Sequence, residues 1–200
     1  MRKRQSAAVR KPEILEHYYE VIIERGIEGA SIGKVAQRMG IHPSLIIHYF
    51  KSKENMTLEL LDVLIDKYEA REYLELEHIQ NLEKRFEELM DVMFSKEWSR
   101  TINPGVHFCF YYLSFRNIEI RQRFRNMIKR FRNHLIDEFT TFQRYGVIRV
   151  HDIKFAADYI VTLIEGLEVH AHFLADDTVP FEQFSSAAKM TAISYLKNKY

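Results

Sequence analysis

The chain lacks most of what would mark it as secreted, membrane-embedded or nucleotide-hydrolysing. It has one cysteine, Cys109, in 200 residues. No disulfide can form within the chain, so a reducing compartment, the cytoplasm, is expected. No apolar run approaches the roughly 20 residues that span a bilayer. The basic start is followed by RKPEILEHYYE, not by an apolar segment, so no secretory leader is expected. A P-loop and a glycine-rich dinucleotide fingerprint are both missing. Glu75-Leu76-Glu77-His78 supplies a single Glu-x-x-His, whereas helical di-iron sites use two. His170 and His172 stand two apart, which on a helix sends them to different sides. Cys109 has no identifiable base. The expectation is a chain that is not an enzyme, with no catalytic residue, metal or cofactor. The length is that of one or two small domains with a real core, and no Gly-, Pro- or Ser-rich linker divides it.

Net charge is small as well: the formal value is +1. Its distribution is more telling. Residues 1–55 carry ten Lys/Arg against six Asp/Glu, an excess of +4, and the remainder carries nineteen against twenty-two, a deficit of −3. The basic part is the part that would meet phosphates if the chain binds nucleic acid.

That part contains the most informative stretch, Gly29 to Glu54, GASIGKVAQRMGIHPSLIIHYFKSKE. Ser31 is a fair N-cap. Ile32, Val35, Ala36 and Met39 recur at helical spacing and form an apolar face. Gly40 suits the left-handed position that ends a helix, and Ile41 plugs the turn. His42, Pro43 and Ser44 open the next helix, with Pro43 in the first helical position where a missing amide does no harm. Leu45, Ile46 and Phe50 can face inward. Two short helices about a glycine turn make a helix-turn-helix, whose second helix enters the major groove. Upstream, Pro12 opens a helix that runs to about Arg25, with Ile14, Leu15, Tyr18, Val21 and Ile22 as its buried stripe and Gly26 as its stop. Tyr19 and His17 read as surface or boundary residues. Arg2, Lys3, Arg4, Arg10 and Lys11 form a leader, either a frayed terminus or an arm along the DNA.

Ser31, Val35-Ala36, Gly40-Ile41, His48-Tyr49-Phe50 and the following Lys51-Ser52-Lys53-Glu54 together resemble the N-terminal domain of the TetR family of bacterial transcriptional regulators. The HYF ending with isoleucines before it is most similar to the branch of the choline-responsive repressor of betaine synthesis. The resemblance implies phosphate contacts at Ser31, Tyr49 and Lys53, with packing of Tyr49 on the first helix as the alternative. Base reading falls to His42, Pro43, Ser44, Leu45, Ile47 and His48, with Lys34 assisting. The usual tyrosine in the middle of the recognition helix is Ile47 here, and the early polar residue of the preceding helix is Gly33. No Arg, Asn or Gln on the recognition helix can make bidentate contacts, so DNA shape is expected to carry more of the readout.

Beyond residue 55 helical periodicity continues and no strand is expected. Ser52 caps a long helix reaching about Glu77. Further helices cover Ile79 to Lys96, Val106 to Phe115, Asn117 to Tyr145, Asp152 to Ala175 and Pro180 to Asn198. Asn103-Pro104-Gly105 is a turn. The run Arg121 to Arg132 reads as a solvated helix face with Phe124, Met127 and Phe131 inward. The architecture is all-α, about nine helices, with a DNA-binding head at 1–55 and a ligand-binding and dimerisation body at 56–200. Residues 153–174 are apolar on nearly every face, which calls for a second copy as well as an internal core. In the family the last two helices form a four-helix bundle with their mates, so a homodimer is expected on a double-stranded DNA operator of two half-sites.

For an effector, the family uses a cavity in the body. The candidates are Trp98, His107, Phe108, Tyr111, Tyr112, Thr162, Glu165 and His170: aromatic walls with a few polar groups, suited to a small organic molecule. An aromatic stripe at helical spacing is equally the mark of a core. If the choline-like likeness holds, the aromatics with Glu165 could hold a cation. The reading is a ligand-released repressor. A constitutive or architectural DNA-binding regulator and, from another class, a helical metal enzyme are the alternatives.

Overall fold

The computed structural model describes residues 7–69, 76–175 and 180–197. Among them there are ten α-helices, one 3-10 turn at Leu76–His78, and no strand. They are α1 Ala7–Gly29, α2 Ile32–Met39, α3 Pro43–Phe50, α4 Lys53–Glu69, α5 Leu82–Met93, α6 Lys96–Ser99, α7 Pro104–Ser114, α8 Ile118–Arg144, α9 Ile153–Phe173 and α10 Phe181–Leu196. The count exceeds the expected nine because of α6, a single turn. Ser95 starts it by accepting the Trp98 amide at 3.1 Å, just after α5 has ended at Met93.

The chain forms two compact units. The first comprises residues 1–67 and 102–124. Here α1 packs against α2, α3 and α7, and α2 against α3. The apolar stripe of α1 is buried as its spacing requires, at Ile14, Leu15, Tyr18, Val21 and Ile22. Pro12, however, lies inside the helix and not at its start, because the chain is already helical from Ala7. At the far end Gly26 takes φ +67°, which breaks α1. A last turn follows, held by the Ala30 amide on the Gly26 carbonyl at 3.0 Å. Arg10 and Lys11, read as part of a leader, are anchored in α1 by Glu13 and Glu59, at 2.7 Å each. Arg2, Lys3 and Arg4 lie outside the described residues.

The second unit comprises residues 68–101 and 125–200. Its core joins Phe86, Leu89, Met90 and Met93 of α5, Leu135, Phe139 and Phe142 of α8, Ala156, Ala157, Ile160 and Ile164 of α9, and Ala192 and Leu196 of α10. Each of the buried Leu, Ile, Met and Phe side chains contributes about 1.5–3 kcal/mol. One ion pair is set into this apolar mass: Arg85 Nε donates to Glu138 Oε2 at 2.8 Å, with a second bond from the same guanidinium to the other carboxylate oxygen. Both side chains are nearly covered. No helix among the described residues is long and apolar enough to cross a membrane, and none of their His, Cys, Asp and Glu side chains cluster in threes to hold a metal ion. Glu75, the first residue of the Glu-x-x-His, lies outside the described residues.

Removing one member of a bidentate, buried pair strands the other charge. Arg85→Met should therefore lower unfolding stability by about 3 kcal/mol. Arg85→Met combined with Glu138→Leu should recover most of that loss. Urea titrations of the single and double variants measure both values, and a single variant as stable as wild type would show the pair to be dispensable.

Candidate nucleic-acid interface

The helix-turn-helix is built by local chemistry. Ser31 sits in extended backbone and its hydroxyl accepts the Lys34 amide at 3.3 Å, starting α2. Gly40 ends α2 with φ +61° and ψ +35°, the left-handed conformation a side chain resists. Its amide and that of Ile41 then satisfy the last carbonyls of the helix. His42 caps α3: its Nδ1 lies 3.3 Å from the Ser44 amide and 2.7 Å from Ser44 Oγ. A ring nitrogen that accepts an amide proton carries none itself, so the imidazole proton sits on Nε2. Pro43 occupies the first helical position. Val35 and Ala36 of α2 are buried together with Ile46 and Phe50 of α3.

The opposite face is open. Ser31, Gly33 and Lys34 of α2 are exposed, as are His42, Ser44, Ile47 and His48 at α3. Pro43, Leu45 and Tyr49 are half-buried. Ile47 is 47% exposed, an aliphatic side chain standing in water on a helix that has apolar neighbours to hide behind. The rings of His48 and Tyr49 meet edge to face at 5.3 Å. None of the ten residues expected to serve DNA is buried.

Lys53 is engaged elsewhere. Its Nζ donates to the Ile27 carbonyl at 2.6 Å, from a half-buried position. The ammonium thereby ties the start of α4 to the last turn of α1. A second strut runs beside it: the buried Tyr18 hydroxyl and Thr57 Oγ1 are 2.8 Å apart, and Thr57 donates back to the Lys53 carbonyl at 2.8 Å. Burial pushes the Tyr18 phenol up to about 12, against the lowering effect of Thr57. The nearby Cys109 thiol is raised to about 11, chiefly by burial and then by Glu28, so it stays protonated near neutrality.

Sequence reasoning missed Lys51. It is the one non-glycine residue with positive φ among those described (φ +69°, ψ −47°), and its side chain is exposed.

The effector candidates separate. In the first unit, His107 lies 5.2 Å from Phe108 and 5.6 Å from Tyr111, ring to ring, and Tyr111 meets Phe124 at 5.9 Å. Tyr112 is exposed, its ring beneath the Arg116 guanidinium. In the second unit, Trp98 packs on Phe131 at 5.3 Å, and the Thr162 hydroxyl donates to the Asp158 carbonyl on its own helix at 2.9 Å. Glu165 is half-buried there. His170 is buried and stacked on Phe184 at 3.9 Å, with no hydrogen-bond partner for Nδ1 among the described residues. That unit also has a cavity of about 560 Å³ lined by Gln143, Gly146, Ile148, Arg149, Val150, His151 and Tyr195, none of them an effector candidate.

A short capped helix offered to solvent by two supporting helices defines the helix-turn-helix class of DNA-binding protein. Residues 14–60 match the model of the bacterial regulatory proteins, tetR family, and residues 77–197 that of the tetracyclin repressor-like C-terminal domain. The second match alone covers more than half of the chain, and the chain belongs to the TetR family, whose members are transcriptional regulators and not enzymes. A search of curated protein sequences returns no match. Among solved structures, a transcriptional regulator of Saccharomonospora viridis in complex with choline superposes with TM-score 0.78 at 22% identity, over 92% of this chain and 95% of that one. A regulator of Pseudomonas aeruginosa gives 0.79 at 18% identity, covering 98% and 93%. FadR of Bacillus subtilis in complex with stearoyl-CoA gives 0.70 at 20%, covering 93% and 99%. At these identities the likeness is one of fold.

The Lys53 bond holds α1 to α4, so its loss should be read in stability. Lys53→Met is expected to lower the unfolding free energy by about 1–2 kcal/mol, seen as a drop in melting temperature. An unchanged melting temperature would mean that the bond to Ile27 is not maintained in solution.

Proposed function

We propose that this protein is a homodimeric transcriptional repressor that binds a two-half-site operator and is released by a small organic molecule. The observation that carries the DNA-binding part is the open face of α2 and α3. It carries polar groups beside the exposed Ile47, has no covering element among the described residues of its own unit, and rests on a buried apolar side. His42 through Nε2, Ser44 and His48 are the groups on it that can hydrogen-bond base edges, and Leu45 and Ile47 those that can touch thymine methyls. Ser31, Lys34 and Tyr49 are assigned to phosphates. The DNA-binding head, on this reading, is residues 1–55, and the rest is the body that dimerises and receives the effector.

Homodimerisation is supported by the outer side of α9 and α10. Phe155 is 61% exposed, Phe173 66% and Met190 65%, with Phe184 also exposed. The inner side of the same helices, Ala156, Ile160, Ile164 and Ala192, is buried. Large apolar side chains exposed on helices whose other side is buried mark an interaction site, and a second copy offers the same side chains in return. Two recognition helices related by a twofold axis would then address half-sites one helical turn apart. The effector is assigned to the aromatic side chains of the body, His107, Phe108 and Tyr111 first. The complexes of relatives with choline and with stearoyl-CoA support an organic ligand as its class. Such a ligand acts through its difference in affinity between the DNA-bound and free conformations.

Selection from a random duplex library should enrich a two-half-site sequence. On that duplex Ser44→Ala and His48→Ala should each cut the preference over scrambled DNA about fivefold. Failure to enrich any sequence would overturn the regulator reading. For the assembly, Phe173→Asp should convert a dimer at micromolar concentration into a monomer of 23.9 kDa by light scattering. A wild-type chain already monomeric there would remove the dimer.

A further inference from the structure

The joint between α3 and α4 holds an unusual turn. The Ser52 amide donates to the Phe50 carbonyl at 2.9 Å, closing a three-residue ring around Lys51. With φ +69° and ψ −47° at its centre, this is the γ-turn of the rarer, strained hand. Glycine adopts positive φ without steric penalty, and a residue with a side chain does not. Yet the position holds lysine. Packing does not explain the choice, since the side chain is exposed and, among the described residues, its polar contact is Nζ donating to the His48 carbonyl at 3.1 Å. Strain kept at an exposed position, with a charged side chain as the only gain, is a pointer to function.

The neighbourhood says which function. Lys51 directly follows His48 and Tyr49, two residues of the open face, and its ammonium lies at the end of the recognition helix. Two residues on, Lys53 is half-buried and bound to the Ile27 carbonyl. Of the two lysines at the joint, Lys51 is the exposed one, and its ammonium, which reaches the His48 carbonyl with one proton, keeps further donors toward solvent for an anion.

We infer that Lys51, exposed at the γ-turn, is the phosphate-contacting lysine of this joint, while Lys53 is a structural clamp between α1 and α4. The inference rests on the DNA-binding reading given above. It moves the phosphate contact two residues from the position that the family resemblance implies. It also accounts for the strain, because glycine would relax the turn and remove the charge together.

The experiment measures DNA affinity against salt for wild type, Lys51→Ala, Lys51→Gly and Lys53→Met. The probes are the duplex enriched from the random library and a scrambled duplex of equal length. Neutralising one phosphate contact flattens the slope of log affinity on log salt by about 0.9 per protomer. Both Lys51 variants should show that loss, with affinity falling equally on the two duplexes, because a phosphate contact carries no sequence information. Lys51→Gly should in addition melt higher than Lys51→Ala, reporting relief of the turn. Lys53→Met should melt lower and keep the wild-type slope. A wild-type slope in both Lys51 variants would overturn the inference, as would a flattened slope confined to Lys53→Met. Wild-type protein with no salt-dependent binding to either duplex would instead overturn the DNA-binding reading, and this inference with it.

Discussion

An eight-residue helix has no stability of its own in water. Nucleation costs more than so few hydrogen bonds return, and isolated helices become marginal below about 12–15 residues. The recognition helix α3 has eight residues, and the architecture of the first unit follows from the need to hold it. Ile46 and Phe50 anchor one side by burial, worth about 2 kcal/mol each. His42 and Pro43 settle the first turn, and the γ-turn at Lys51 fixes the exit. Helix α1 serves as the platform: it packs on α2 and α3, and it meets α4 through the bonds of Tyr18 with Thr57 and of Lys53 with the Ile27 carbonyl.

The same constraint shaped what could be read from the chain beforehand. Ser31, Gly40, Pro43 and Asp152, whose carboxylate accepts the Lys154 amide at 2.8 Å to start α9, were legible because caps and turn residues act on their immediate neighbours: a hydroxyl or carboxylate reaches an amide two or three residues on, whatever the rest of the molecule does. The stripe of α1 was legible for a similar reason, since helical spacing follows from local geometry. What could not be read was set at a distance. Lys53 meets a carbonyl 26 residues away. Arg85 meets Glu138 across 53 residues, and Ser95 restarts a helix only because α5 has already ended. Lys51 hid for another reason: nothing in its identity signals positive φ, since the signal for that is glycine. Of the effector candidates, His107, Phe108 and Tyr111 adjoin on α7 at helical spacing. Trp98, Thr162, Glu165 and His170 belong to the other compact unit.

The recognition face has a chemical character that bears on how it would discriminate. The groups assigned above to base edges are two imidazoles and a hydroxyl, and two of the three are engaged with each other, His42 Nδ1 with Ser44 Oγ at 2.7 Å. The pairing leaves one donor, Nε2–H, held in a fixed direction by the cap. Neither imidazole nor hydroxyl reproduces the two-pronged match of arginine to guanine or of asparagine to adenine. On the function proposed above, such a face would gain selectivity from few direct bonds, from methyl contacts at Leu45 and Ile47, and from how readily the duplex takes the required shape.

The cost of the γ-turn can be set against what surrounds it. A residue held in a sparsely populated region of backbone space costs about 1–3 kcal/mol. The two residues whose burial fixes the path of the chain into the turn, Ile46 and Phe50, together return about 4 kcal/mol. Beyond it, Met56 and Thr57 are buried at the start of α4, and the Lys53 bond closes that helix onto α1. The turn is therefore over-determined from both sides, and the chain would keep it with almost any residue at position 51. What the lysine adds, and glycine could not, is an exposed ammonium, which also reaches the His48 carbonyl at the end of α3.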